Sequence, residues 1–419
     1  MYVCVVTHAM HIRTTAPVRT VRCVPGLRAP AIAAPHYRGG FFGGCARSFD
    51  AGEKARGVRI AMVTPRALPL VGGIETHVHE VASRLAAGGA QVSVLTTDAG
   101  GGLAAEETRS GYLTRRWPAH PRRRDYHFAP GLAARLAGAR GDYDVIHIQG
   151  VHTLLAPAAL AAARCTGVPT VLTFHTGGHS AGWRSRIRPL QFSALGPLLR
   201  RVSLIAVCEY ERSLFAATLG VERSGIRLIR NGCDPLPVDD AAPAVVGDPL
   251  LVSLGRLERY KGHHRVLRAL PAILARAPAA RLVIVGQGPY ATELTRLAQE
   301  LGVDGQVTIV SFGPHQRSVL GRLVSDADVV CLLSDYEAHP VAVMEALACG
   351  TSVLVADTSG LSELGAAGLA DTIAVDASPQ QVAAAVLAVA TAPRKAVPKL
   401  PSWDDCTDAL LQCYREIRR

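Results

Sequence analysis

The sequence predicts an α/β protein of two doubly wound domains in tandem, facing each other across a cleft. Three observations carry that expectation. From Val58 onward, strand-like runs that are apolar throughout alternate with helical segments, the pattern of parallel sheets covered on both faces. The alternation is interrupted once, by the Pro/Asp/Ala-rich stretch DPLPVDDAAPAVVGDP at 234–249. A chain of 419 residues with 49% hydrophobic content is also too long for one ordinary core and sufficient for two.

Residues 1–57 stand apart. They are rich in Arg, Pro, Ala and Gly and lack periodicity, so they are expected to be a disordered extension or added upstream sequence, with Met1–Ala9 as a lone strand candidate. The first domain, 58–234, opens on the strand VRIAMVTP, a Pro/Gly loop, the helix IETHVHEVASRLAAGG and the strand QVSVLTT, a βαβ unit of ordinary size. YDVIHIQG, TLLAPAALAAARCTG, VPTVLTFHT, SLIAVC, EYERSLFAATLG and IRLIRNG continue it. The second domain, 235–401, alternates in the same way from PLLVSLGRL through RLVIVGQGP, VTIVSFG and DVVCLLS to SVLVADT. Residues 402–419 form an amphipathic helix with Ser402 as N-cap, expected to pack back toward the first domain. Two such Rossmann-like domains place a ligand cleft at the carboxyl ends of their strands.

Composition narrows the setting. The ten cysteines form no CxxC pair or metal-like cluster, and Cys331 and Cys349 lie in apolar runs, so buried reduced thiols and a cytoplasmic location are expected. No apolar run is long enough to span a membrane as a helix, and MYVCVVTHAMHIR lacks the basic start of a signal peptide. The net charge of +11 is unevenly placed: +6 on residues 1–57, +9 on 58–234 and −4 on the remainder. Arg115, Arg116, Arg122, Arg123 and Arg124 flank Trp117, and Arg184, Arg186 and Arg188 accompany Trp183. No nucleic-acid motif accompanies them. An anionic acceptor, or peripheral contact with an anionic membrane surface at its inner face, is the expected partner, with a merely solvated arginine surface as the alternative.

Three constellations carry chemistry. Gly72 and Gly73 lie between the first strand and its helix, where small residues let backbone N–H groups approach an anion; a tight turn would want them equally. Arg256 and Lys261, in GRLERYKG, leave a strand end with a forked guanidinium and a point charge suited to a diphosphate. Glu337 and Glu345, with seven residues between them around an apolar helical stretch, can address one elongated ligand, and a carboxylate at 345 needs a partner. Asp142 with Asp144 and Asp326 with Asp328 look like DxD metal motifs, but each pair precedes an apolar strand, and no metal is expected. His147, His152 and His179 lack partners at ligand spacing. His77 and His79, on the first helix, read as solvated, with one of them lining the cleft as the alternative.

With these residues in hand the chain resembles a retaining glycosyltransferase of family 4, with the GT-B fold. The resemblance covers about residues 58–419 and is carried by Gly72-Gly73, His175 in VLTFHT, IRLIRNGCD, the GR…KG element, VIVGQGP, and Glu337-x7-Glu345 followed by ALACG. It implies that Arg256 and Lys261, with Gly73, hold the donor diphosphate. Glu345 would take the ribose, Pro314 and His315 the base, and Glu337 the transferred sugar, with the backbone of Ala338, His339 and Pro340 shaping the sugar pocket. His175 would reach toward sugar and acceptor. The reaction implied is transfer of a hexose-type sugar from a nucleotide diphosphate, UDP favoured over GDP, to a hydroxyl of a glycan, lipid or small-molecule natural product. It would proceed with retention by front-face attack, without metal or other cofactor. Ala338 where the family often has glycine, His339 for a commoner apolar residue, and Arg230 where proline often stands are departures that bear on the sugar. The alternatives are a sugar-nucleotide epimerase or phosphorylase and a non-catalytic binding subunit. A dehydrogenase is weaker, because Gly286 and Gly288 lack the third glycine of the dinucleotide fingerprint.

Overall fold

A computed structural model describes residues 55–122, 127–151, 153–176 and 195–418. The first domain is an eight-stranded sheet. Its strands are β1 (Arg59–Val63), β2 (Gln91–Asp98), β3 (Glu106–Arg109), β4 (Tyr112–Pro118), β5 (Val145–Gln149), β6 (Thr170–Thr173), β7 (Ser203–Ala206) and β8 (Ile226–Leu228). They lie in the order β3-β4-β2-β1-β5-β6-β7-β8, parallel except for the β3–β4 hairpin. The second is a six-stranded parallel sheet of β9 (Leu250–Leu254), β10 (Arg281–Val285), β11 (Val307–Val310), β12 (Val329–Leu332), β13 (Val353–Ala356) and β14 (Asp371–Ile373), ordered β11-β10-β9-β12-β13-β14. Both sheets are doubly wound, as the uninterrupted apolar strands predict. The strand order reverses beside β1 in one and beside β9 in the other, which fixes the crevices at the carboxyl ends of those strands.

Local chemistry sets the helix boundaries. The helix Leu155–Thr166 ends on Gly167 and the helix Glu209–Leu219 on Gly220, both with left-handed backbone, which L side chains resist. The helix Trp403–Ile417 starts from a capping box in which Ser402 Oγ accepts from Asp405 N and the Asp405 carboxylate accepts from Ser402 N. Its apolar face does not belong to the domain that precedes it. Trp403, Leu410, Leu411 and Tyr414 are buried in one cluster with Ile60, Met62 and Val94 of the first sheet, and Tyr414 OH hydrogen-bonds His147 Nδ1 at 2.6 Å.

Several expectations change. The first domain's described core begins at Ala55 rather than Val58: Ala55 is buried and Gly57 N donates to Gly89 O. Met1–Ala9 lies outside the described residues, as do His152, His179, Trp183 and Arg123, Arg124, Arg184, Arg186 and Arg188. Arg115 and Arg116 are not a free basic patch but belong to β4. Arg115 pairs with Glu106, and the buried Arg116 guanidinium donates to Ala104 O, Leu68 O and Glu107. The aspartate pairs have structural duties: Asp144 accepts from Arg59, Asp142 pairs with Arg135, Asp326 with Arg322, and Asp328 accepts from Leu250 N. No helix among the described residues is long and apolar enough to cross a membrane.

Removing the Tyr414 hydroxyl should therefore weaken the first domain. Tyr414→Phe leaves His147 Nδ1 buried without its partner, at a cost of about 1–3 kcal/mol. Urea titration followed by circular dichroism measures it, and a curve superimposable on wild type would remove this bond from the account.

Candidate active site

The residues singled out in the sequence gather at the carboxyl ends of the two sheets. Gly72 and Gly73 follow β1, and Gln149, which the sequence did not mark, ends β5 beside them. His175 follows β6, Arg256 follows β9, and Glu337 follows β12. The loop after β9 is shaped by contact. Gly262 has φ 74°, and a Cβ there would stand 1.8 Å from Leu333 O, so only glycine lets the loop dock on the end of β12. Docking brings Lys261 Nζ to 2.5 Å from Glu337 Oε1, which also accepts from Ser334 Oγ at 2.8 Å. Ser359 Oγ accepts from Glu337 N at 2.9 Å. Burial works to lower the Lys261 pKa, yet the Glu337 charge holds it above the ordinary lysine value. Arg256 is held by Tyr260 OH at 3.0 Å and Glu258 at 2.7 Å.

Glu345 is the second buried carboxylate. Arg317 Nη2 donates to its Oε1 at 2.6 Å. Burial pushes the Glu345 carboxyl above its usual range and Arg317 opposes that shift. Pro314 and His315 form an exposed turn beside Arg317. Gly73 is open, whereas Gly72 lies under the Glu75 carboxylate: a Cβ on Gly72 would meet Glu75 Oε2 at 2.4 Å. The first turn of helix α1 (Gly73–Ala87) thus already faces an anion of its own, and that carboxylate lies within electrostatic reach of Arg256 from the other domain.

Across the cleft His175 is buried, with left-handed backbone at φ 45°, an uncommon conformation that aims the side chain. Its Nε2–H donates to Gln149 Oε1 at 2.7 Å. His77 packs edge-on against it, ring centroids 4.5 Å apart, and touches Trp403 on its other side. His77 is therefore a core residue under the site rather than a solvated one, and burial pushes its pKa down to about 4. His79 hydrogen-bonds Tyr112 OH at 2.9 Å. Thr176 donates through both its N–H and hydroxyl to the fully buried Glu211, which burial raises to about 6 against those hydrogen bonds.

The two domains touch beside these groups. Ala338 is buried against Val207 and Cys208, Tyr336 meets Tyr210 edge-on, and Asn231 Nδ2 donates to His339 O at 3.0 Å. His339 is buried and neutral, its pKa pushed down to about 4, and Pro340 is buried beside it. Gly360 N donates to Glu337 O, closing the turn. Sequence reasoning did not find Arg317, Gln149, Ser334, Ser359, Glu211 or the packing role of His77. Only the unpaired carboxylate at 345 signalled that a cation was missing.

Two parallel α/β domains with charged loops converging on the cleft between them define the GT-B architecture. The chain belongs to the family 4 GT-B glycosyltransferases. The family model described as Glycosyltransferase Family 4 matches residues 71–235, and Glycosyl transferases group 1 matches residues 239–397. Glycogen synthase of Mycobacterium tuberculosis is 30% identical over 402 residues, covering 86% of this chain and 95% of that protein. D-inositol 3-phosphate glycosyltransferase 1 of Catenulispora acidiphila is 28% identical over 402 residues, covering 85% and 95%. Among solved structures, sucrose-phosphate synthase from Thermosynechococcus elongatus superposes with TM-score 0.69 at 20% identity, covering 86% of this chain and 99% of that one. Anabaena HepE in complex with UDP-glucose gives 0.63 at 18%, covering 86% and 97%.

The Gly262 contact yields a direct test. Gly262→Ala combines a left-handed backbone with a clash on Leu333 O, and should cost about 2 kcal/mol or more. It should also displace Lys261 from Glu337. Wild-type melting together with wild-type turnover in this variant would show that the loop has room to spare.

Proposed function

We propose that the protein transfers a hexose-type sugar from a nucleotide-diphosphate donor to a hydroxyl acceptor, with retention at the anomeric carbon and without a metal. The observation that carries this reading is the pairing of Lys261 with Glu337 and of Arg317 with Glu345 on one wall of the cleft, with His175 on the other. A diphosphate fits between Arg256 and Lys261, two cations at a strand end that neutralise charge as the leaving group departs. Glu345 takes the ribose hydroxyls, and Pro314 and His315 flank the base. Glu337 hydrogen-bonds the transferred sugar. Its Oε1 is already committed to Lys261 and Ser334, which suits a hydrogen-bonding carboxylate better than a nucleophile and favours front-face attack. His175, fixed by Gln149, orients the sugar and acceptor. Gly73 lies open to the donor phosphates.

UDP is favoured over GDP as the leaving group, in keeping with the HepE complexes that hold UDP and UDP-glucose; a relative from Mycolicibacterium smegmatis is named as GDP-mannose-dependent. The acceptor is a glycan, a lipid or a small-molecule natural product, and the basic first domain favours an anionic one. The aspartate pairs already serve ion pairs and strand starts, so positive side chains take the place a metal would fill. Peripheral contact with an anionic membrane surface belongs to the same reading.

A division of labour follows. His175→Ala should cut transfer by orders of magnitude while nucleotide affinity stays near wild type, because orientation contributes several kcal/mol to lowering a barrier. Glu345→Ala should weaken nucleotide binding first. Calorimetry with free nucleotide, paired with turnover on a panel of UDP-, GDP-, ADP- and dTDP-sugars, separates the two. The opposite pattern would exchange the ligands of the two domains. Activity should persist in excess EDTA, and a titratable requirement for Mg²⁺ or Mn²⁺ would overturn the metal-free part.

A further inference from the structure

Arg317 opens the helix Arg317–Asp326 directly after the exposed turn Pro314–Gln316. The Glu345 side chain that it meets is 9% exposed, while its own is 37% exposed. A carboxyl withdrawn from water this far either takes a proton or keeps a cation beside it. The two states differ chemically, because the ionised form has acceptor sites on both oxygens and the protonated form must donate through one. The groups facing Glu345 and Arg317 are few, and His79 of α1 is among those around Arg317. Glu80 of α1 approaches from the first domain, with its own partner Arg84 at 2.5 Å. The thiols of Cys233 and Cys349 lie nearby, and burial raises both above their usual range, so they stay neutral. Glu80 disfavours the ionised form of Glu345, and Arg317 is the group that favours it.

We propose that Arg317 is a positioning residue of the donor site: it keeps Glu345 ionised and fixes Oε1, leaving the carboxylate free to accept from the vicinal hydroxyls of a nucleoside ribose. This rests on the assignment of Glu345 to the ribose. Arg317 acts through Glu345, and by holding that carboxylate ionised it makes the donor end of the cleft less sensitive to acid than burial alone would leave it.

The test uses the full chain and calorimetric affinity for UDP, with GDP in parallel, between about pH 5.5 and 8. Each nucleotide is compared with its 2′,3′-dideoxy form. Arg317→Met should weaken nucleotide binding about tenfold at neutral pH and abolish the preference for the intact ribose. Without the cation the Glu345 pKa rises further, so the carboxylate disappears at a higher pH on acidification. The loss of affinity should therefore begin at a higher pH than in wild type. Arg317→Lys should restore the charge and most of the affinity. Arg317→Gln, which keeps a donor at the same surface position without the charge, carries the same test if the methionine variant melts early. If wild type binds neither nucleotide, or binds the dideoxy form as well as the intact one, the ribose assignment itself is wrong. If wild type prefers the intact ribose and the charge-free variants keep both its affinity and its pH profile, Arg317 has no positioning role.

Discussion

The contact on which the rest of this molecule depends is the hydrogen bond from Asn231 to the carbonyl of His339. Asn231 lies where the first domain ends and the crossing segment begins, and His339 belongs to the turn that carries Glu337. Next to Asn231, the backbone at Gly232 runs so close to the returning chain that a Cβ would stand 2.3 Å from Trp403 Cα. The outbound crossing, the return crossing and the turn after β12 are thereby fastened at one point. His77 lies beneath that point, against both Trp403 and His175, so the position of the first domain's histidine and that of the second domain's carboxylate are set by one packed junction.

Much of the fold was legible because buried parallel strands admit little besides apolar residues, and glycine marks where helices stop. The β3–β4 hairpin escaped notice for the complementary reason. It forms the edge of the sheet, where one face meets water, and its EETR and YLTRRWP sequences carry charges that an interior strand would exclude. Its arginines read as a ligand surface until the structure paired them with Glu106 and Glu107.

The site divides along the same line. Arg256 and Lys261 stood out as two cations leaving a strand end together, Glu337 by its spacing from Glu345, and Glu345 because a charge in apolar surroundings must be compensated. Their supports did not. Gln149, Ser334 and Ser359 are residue types that any surface uses, and what makes them special is who meets them across long stretches of chain. His77 was misread because one buried histidine in a helix of mixed composition resembles an exposed one until its neighbours are known. Arg317 could have been anticipated only as the cation that Glu345 required, not by its position.

The helix Trp403–Ile417 closes the core of a domain whose sheet is complete some 170 residues earlier, at β8. During synthesis the first domain therefore emerges with Ile60, Met62 and Val94 partly uncovered until the helix Trp403–Ile417 joins their cluster. Domains that normally fold one after another as they leave the ribosome are here obliged to finish together. A chain cut short near its end would leave an apolar groove open on the domain made first, and quality control could recognise the truncated product by that groove before any enzymatic defect is felt.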